Sequence, residues 1–207
     1  DSLSPSNFTK EIRQIHTDYG YDMCLGLQNL LGSHDTQRLA SMIENPEYRL
    51  DHGANLKKNR NYSINPVSPN NRARLMQIIA FQFMSPGAPF IYYGDEVGMW
   101  GADDPDCRKP MIWNDLTYEA ETHHSRGLSR PVDEVSINDD LMQMYQKMIN
   151  IRTSYPSLQT GDYTVNLMDD ESGMFVFTRS ISGKGITAVF NRSSSTQNLK
   201  RKELNFL

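Results

Sequence analysis

The chain has 207 residues, 38% hydrophobic and 22% charged, with a formal net charge of −4. That length suits one ordinary domain with an appendage, or two small ones, of globular composition. The negative balance and the scatter of basic residues argue against nucleic acid and anionic lipid as partners, and no run of about eighteen apolar residues suggests a membrane span.

The opening "DSLSPSNFTKE" is polar, shows no signal-peptide pattern and reads as the middle of a longer chain. Residues 4–20 predict an amphipathic helix, with a Ser/Pro start, Phe8, Ile12 and Ile15 on one face and a glycine stop. "DMCLGLQNLL" (22–31) is a short apolar run that fits a buried strand, and it leads through Gly32 and Ser33 into His34 and Asp35. Residues 36–70 are polar and rich in Asn, Arg and Pro, which predicts a long functional loop; its densest basic spot is "NLKKNR" at 55–60. "NNRARLMQIIAFQFM" (70–84) predicts a helix capped by Asn70 or Asn71 and apolar nearly all round, so packed on more than one side. "SPGAPFIYYGDE" (85–96) breaks that helix and supplies a strand from Phe90 to Tyr93, followed by Gly94, Asp95 and Glu96. Residues 98–137 read as a second long loop. A helix over 138–156, capped by Asn138, presents Leu141, Tyr145, Met148 and Arg152 along one face. After Gly161 the period changes to two: "YTVNLM", "MFVFTRS" and "ITAVFNRS", separated by "DDESG" and "SGKG", predict an antiparallel meander.

The order of apolar strand, small residue and polar pair occurs twice, in "LLGSHD" and "IYYGDE". Two such strands, each preceded by a helix, suggest (βα) units of a parallel sheet. In a (β/α) barrel, chemistry gathers at the C-terminal ends of strands. His34 and Asp35 would then stand at a strand end facing a cleft, with Arg38 close by; the competing reading is a buried helix ending in a polar turn. A buried carboxylate beside a histidine can stabilise developing positive charge.

"DDPDCRKP" (103–110) sets three carboxylates and two cations in a Pro-bounded loop. It can grip a neutral polyhydroxyl ligand through bidentate hydrogen bonds, or be a solvated ion-pair cluster. As a calcium loop, Asp103, Asp104 and Asp106 lack the alternating ligands and the distant glutamate, and Arg108 would oppose a cation. His123-His124 has no further His or Cys at zinc-ligand spacing and reads as a surface pair. Cys24 and Cys107 form no C-x-x-C pair and read as free thiols. No metal site and no organic cofactor are expected.

Taken together, "LLGSHDTQR" (30–38), "GAPFIYYGDEVGMWG" (87–101) and "DDPDCRKPMIW" (103–113) resemble the α-amylase family of glycoside hydrolases. The resemblance is to its neopullulanase and cyclomaltodextrinase branch, in the form found in Bacteroides-type bacteria. "KMINIRTSYPSLQTGDY" (147–163) resembles the approach to that family's C-terminal β-domain. The resemblance implies an α/β fold: the C-terminal portion of a (β/α)8 TIM barrel, about strands 7 and 8 with flanking helices, over 1–156. A small antiparallel β-domain would follow over 157–207. It implies that Asp35 is a catalytic carboxylate, the third of the family's three, and that His34 hydrogen-bonds the sugar at subsite −1. Asp104 and Arg108 would hold the sugar at subsite −2, Arg38 would join the substrate-binding set, and Tyr92, Gly94 and Glu96 would shape the barrel floor and rim.

Retaining glycosidases need a carboxylate nucleophile and a carboxylic acid, which the family carries upstream of its seventh strand. No R-x-D strand-end motif and no matching glutamate precede residue 22. The expectation is therefore part of a longer α-glucan hydrolase, inactive alone, starting at about the sixth barrel helix. Open strand edges would favour self-association. The rival is a non-catalytic carbohydrate-binding or assembly module. For a longer parent, the resemblance suggests the bacterial periplasm.

Overall fold

A computed structural model of the chain describes residues 3–48, 53–125 and 127–200. Residues 49–52 of the first predicted loop, residue 126 of the second and 201–207 of the expected β-domain lie outside the described residues.

Helix α1 (Pro5–Tyr19) forms as its end signals require: the Ser4 hydroxyl accepts from Asn7 N, and Gly20 stops it at φ 78°. The apolar run that follows is not one strand. Tyr21–Gly26 is a short helix, α2, and the strand, β1, is limited to Gln28–Leu30. A short apolar run has no period that separates helix from strand. Inside the segment predicted as a loop lies a further helix, α3 (Leu39–Glu44), with Leu39, Ala40 and Ile43 buried.

Helix α4 (Pro69–Met84) begins one residue before the predicted range, its first backbone bonds running from Asn71 N and Arg72 N to Ser68 O. Leu75, Ile79 and Phe83 are buried along it. Strand β2 is Ala88–Phe90, upstream of the predicted Phe90–Tyr93. It pairs with β1, and Ala88 N donates to Leu27 O at 2.7 Å. An extended segment counts as a strand only where a partner backbone faces it, and β1 offers only three residues.

A 3-10 turn, Asp95–Val97, precedes the second predicted loop, which itself holds another, Asp106–Arg108, and a hairpin of β3 (Glu121–His123) with β4 (Ser129–Asp133). Helix α5 (Asp139–Ser154) starts where Asn138 Oδ1 accepts from Leu141 N at 3.1 Å, and buries Leu141, Tyr145 and Met148. A short helix, α6 (Pro156–Thr160), leads into β5 (Asp162–Asp169), β6 (Met174–Ile181) and β7 (Lys184–Asn191). These three strands form the predicted antiparallel meander in the order β5-β6-β7. The β6–β7 turn is two residues, Ser182 and Gly183, both at positive φ, a geometry that matches the twist of the strands it joins.

The chain packs as two compact units. The first comprises Asp1–Asn29, Ala80–Pro89 and Met148–Leu207, and the second Leu30–Ile79 and Phe90–Lys147. The core of the first is aromatic: Phe175 and Phe177 of β6 pack with Phe8, Phe81 and Phe190. Phe177 and Phe190 stack with centroids 5.9 Å apart. In the same unit, Arg152 donates to the carbonyls of Phe83, Ser85 and Gly87, closing the turn between α4 and β2. The second unit has one cluster around Ala54, Leu56, Tyr62, Ile64 and Trp100, and another around Val97, Met99 and Ile112. Among the described residues no helix is long and apolar enough to cross a membrane.

Candidate active site

All the sequence-predicted site residues fall in the second unit. Three residues after β1, the chain makes a tight turn in which Ser33 N donates to Thr36 Oγ1 at 3.0 Å and Asp35 N to Ser33 Oγ at 3.2 Å. This turn sets His34 and Asp35 side by side, His34 Nε2 lying 3.2 Å from Asp35 Oδ2. The two side chains are 66% and 69% exposed, so the carboxylate is open to a ligand.

The 103–108 loop meets this turn. Arg108 Nε donates to His34 O at 2.8 Å and lies 2.7 Å from Asp104 Oδ1, while its Nη2 sits 3.3 Å from Asp35 Oδ1. One guanidinium therefore joins two carboxylates and a main-chain oxygen from segments far apart in sequence. His34, Asp35, Asp104 and Arg108 are brought together, each with a side chain between 45% and 69% exposed, so a polyhydroxyl ligand can approach all four.

Arg38 is not part of that surface. Its side chain is 0% exposed and lies beneath the open residues His34, Asp35, Asp104 and Arg108. It donates to Tyr93 O, lies 3.3 Å from Asp95 Oδ1, and is stacked by Tyr92 and Tyr93, 4.2 and 4.6 Å from the ring centroids. Burial pushes the Asp95 carboxyl up to about 7, against the opposing pull of Arg38. Tyr92 is pushed up to about 12, first by burial and then by its hydrogen bond with Tyr93.

Residues below the surface were harder to read from sequence. Asp106 is fully buried; its Oδ2 accepts from Ala102 N at 2.8 Å and its Oδ1 from Ser125 N at 3.3 Å. Cys107 is also buried and donates from Sγ to His34 O at 3.3 Å. The only hint of either was a position inside the Pro-bounded acidic loop. Close approach fixes two glycines: a Cβ on Gly32 would meet Asp95 Oδ2 at 2.8 Å, and one on Gly101 would meet Asp106 O at 2.7 Å. Among the described residues no group of three or more His, Cys, Asp or Glu is placed to hold a metal ion.

With this geometry in hand, the comparisons with known proteins are specific. The family described as alpha amylase, catalytic domain, matches residues 6–161. Neopullulanase 2 of Thermoactinomyces vulgaris is 28% identical over 195 residues, covering 94% of this chain and 26% of its own length. An intracellular maltogenic amylase of Bacillus subtilis is 30% identical over 178 residues, covering 86% of this chain and 23% of its own. The chain thus spans about a quarter of the length of the curated relatives it matches. Among solved structures, a maltogenic amylase from S. marinus is similar with a TM-score of 0.54 at 29% identity, over 82% of this chain and 18% of that one. A cyclic alpha-maltosyl-(1→6)-maltose hydrolase from Arthrobacter globiformis gives a TM-score of 0.64 at 23% identity, over 94% and 34%, a likeness of fold alone.

Proposed function

The chain belongs to the alpha-amylase catalytic-domain family, and from that premise we propose that it is part of a retaining α-glucan hydrolase. In this reading residues 1–156 carry the seventh and eighth strands of a (β/α)8 barrel with their helices, and a C-terminal β-domain begins at 157. The observation that carries the reading is the convergence of His34, Asp35 and Asp104 on Arg108. The names of the relatives, neopullulanase, cyclomaltodextrinase and maltogenic amylase, support starch-derived oligosaccharides as the substrate class.

Asp35 accepts hydrogen bonds from hydroxyls of the glucose being cleaved, and its charge favours the distorted, oxocarbenium-like ring. His34 donates to a hydroxyl of the same sugar. Asp104 and Arg108 hold the adjacent glucose, a fork and a carboxylate facing vicinal hydroxyls. The nucleophile and the general acid are separate roles that Asp35 does not fill from one position. The 207-residue chain alone is therefore inactive, and the longer enzyme supplies both. The exposed Leu30 and Phe90, at the ends of the paired strands β1 and β2, favour self-association of the isolated chain.

The test joins this chain to the upstream sequence of its own gene. The longer protein should release reducing sugar from maltotriose, the 207-residue chain should release none, and Asp35→Asn should cut turnover about 10²–10³-fold. Undiminished turnover by the variant, or turnover by the isolated chain, overturns the reading. An upstream sequence without strand-end carboxylates favours a binding module instead.

A further inference from the structure

The loop that carries Asp104 and Arg108 poses a mechanical problem. Asp104 and Arg108 are each nearly half exposed, and an ion pair in that setting contributes too little to hold its own geometry. The backbone must impose it. One end of the loop is fixed by the buried Asp106 carboxylate, which accepts from Ala102 N and Ser125 N. The other end is fixed from outside, by the segment 53–62.

That segment is the middle of the long polar stretch between α3 and α4, and nothing in the proposed chemistry uses it. It is nonetheless built as a rigid fixture. Ala54, Leu56 and Tyr62 are buried in the same cluster as Trp100 and Ala102. Asn59 closes the segment on itself, donating from Nδ2 to Gly53 O at 2.9 Å and from its backbone N to Asn55 O at 2.8 Å. From this fixture two bonds reach the Asp104 loop: Asp103 N donates to Ala54 O at 3.2 Å, and Asn55 Nδ2 donates to Asp103 Oδ2 at 3.3 Å. The other oxygen of the same carboxylate, Asp103 Oδ1, accepts from Asp104 N at 2.8 Å. The relay therefore runs from Asn55 through Asp103 to the backbone of Asp104, whose side chain meets Arg108, which in turn meets Asp35.

We infer that Asn55 is a positioning residue: acting through Asp103, it sets the orientation of Asp104 and Arg108 and so determines how tightly the site holds the glucose next to the one cleaved. The inference rests on the proposed α-glucan site and adds to it a second-loop residue that governs affinity without touching the sugar.

The contact has a donor on one side and an acceptor on the other, so it can be reversed. In Asn55→Asp two carboxylates face each other; in Asp103→Asn two amides do. Both replacements keep Oδ1, so the bond from Lys57 N to residue 55 and the bond from Asp104 N to residue 103 survive. In the double variant the donor and acceptor have exchanged places and the bond can re-form. The experiment measures KM and kcat for maltotriose in the longer enzyme, KM serving as the affinity readout, with thermal midpoints recorded in parallel. Each single variant should bind about tenfold more weakly, the share of one hydrogen bond. The double variant should return to within about twofold of the wild type, and all four midpoints should agree. Should a single variant not fold, Asn55→Ser takes its place with the same tenfold expectation. Singles that bind like the wild type, a double that does not recover, or affinity that falls only in step with the midpoint, overturn the inference and leave the proposed site standing. A wild-type longer enzyme that neither binds nor turns over maltotriose removes that site, and the inference with it.

Discussion

Arg38 and Asp95 meet at 3.3 Å with side chains 0% and 4% exposed, one of the most enclosed charge pairs beneath the candidate site. Burial nevertheless outweighs the arginine's charge and holds the Asp95 carboxyl up at about 7, far above the ordinary value of 3.8. A carboxyl raised in the folded state binds its proton more tightly there than in the unfolded chain. Its contribution to stability is therefore full below about pH 4 and is lost as pH rises through about 7. Asp95→Asn cannot titrate. The difference in thermal midpoint, wild type minus variant, should shrink steadily between these limits, and parallel pH profiles would refute the linkage.

In the longer enzyme, Arg108→Ala should raise KM for maltotriose about tenfold while lowering kcat less. A residue that holds the neighbouring glucose supplies binding shared by ground and transition states. Its exposure means that folding should hardly notice the change. Steady-state kinetics decides: a thousandfold fall in kcat at constant KM would place Arg108 in the chemistry instead.

Gly101→Ala should destabilise the protein by about 1–3 kcal/mol. The added methyl would press on backbone atoms of Asp106 and Cys107, which lead directly to Arg108. Gly26→Ala is the control, because a Cβ there meets nothing within 4 Å. Denaturant titration of the two variants should separate them clearly, and equal midpoints would show that the 106–107 backbone yields freely.

Light scattering should give the isolated chain a mass above its 23.7 kDa monomer, because among the described residues β1 and β2 form a sheet of two strands with Leu30 and Phe90 exposed. Leu30→Lys with Phe90→Lys should return it toward the monomer. A wild-type chain that is monomeric at all concentrations would remove the idea.

Much of the fold was legible wherever a short-range signal closes an element. Ser4 and Gly20 bound α1, Asn138 starts α5, and the alternation over 162–191 with glycines at 173 and 183 gives the meander its strands and turns. The errors lie where a partner distant in sequence decides. Nothing local distinguishes Tyr21–Gly26 as helix from the strand that follows it, and α3 and the β3–β4 hairpin sit in polar stretches whose apolar residues are few. In the candidate site, "HD" and "DDPDCR" stood out in the sequence, but not which of their members face solvent. Arg38 is buried because Asp95 and two tyrosine rings receive it, and those partners come from a segment about sixty residues away in the sequence. Asp106 looked like one acid among three, yet it alone of the three is fully buried and pinned by two backbone amides.

Strand β6 lies between β5 and β7, in register with β7 from Met174↔Asn191 to Ile181↔Lys184, and side chains on both of its faces are buried. It pairs with β7 along its whole length and with β5 from Met174 to Ser180, and its neighbours are the two nearest segments in the chain. Opening it requires the loss of two ladders and the aromatic cluster at once, whereas β5 and β7 each lose a single ladder. In heavy water the peptide hydrogens of residues 175–180 should be the last in this sheet to exchange for deuterium. The time at which they do so reads out how long the whole meander stays shut.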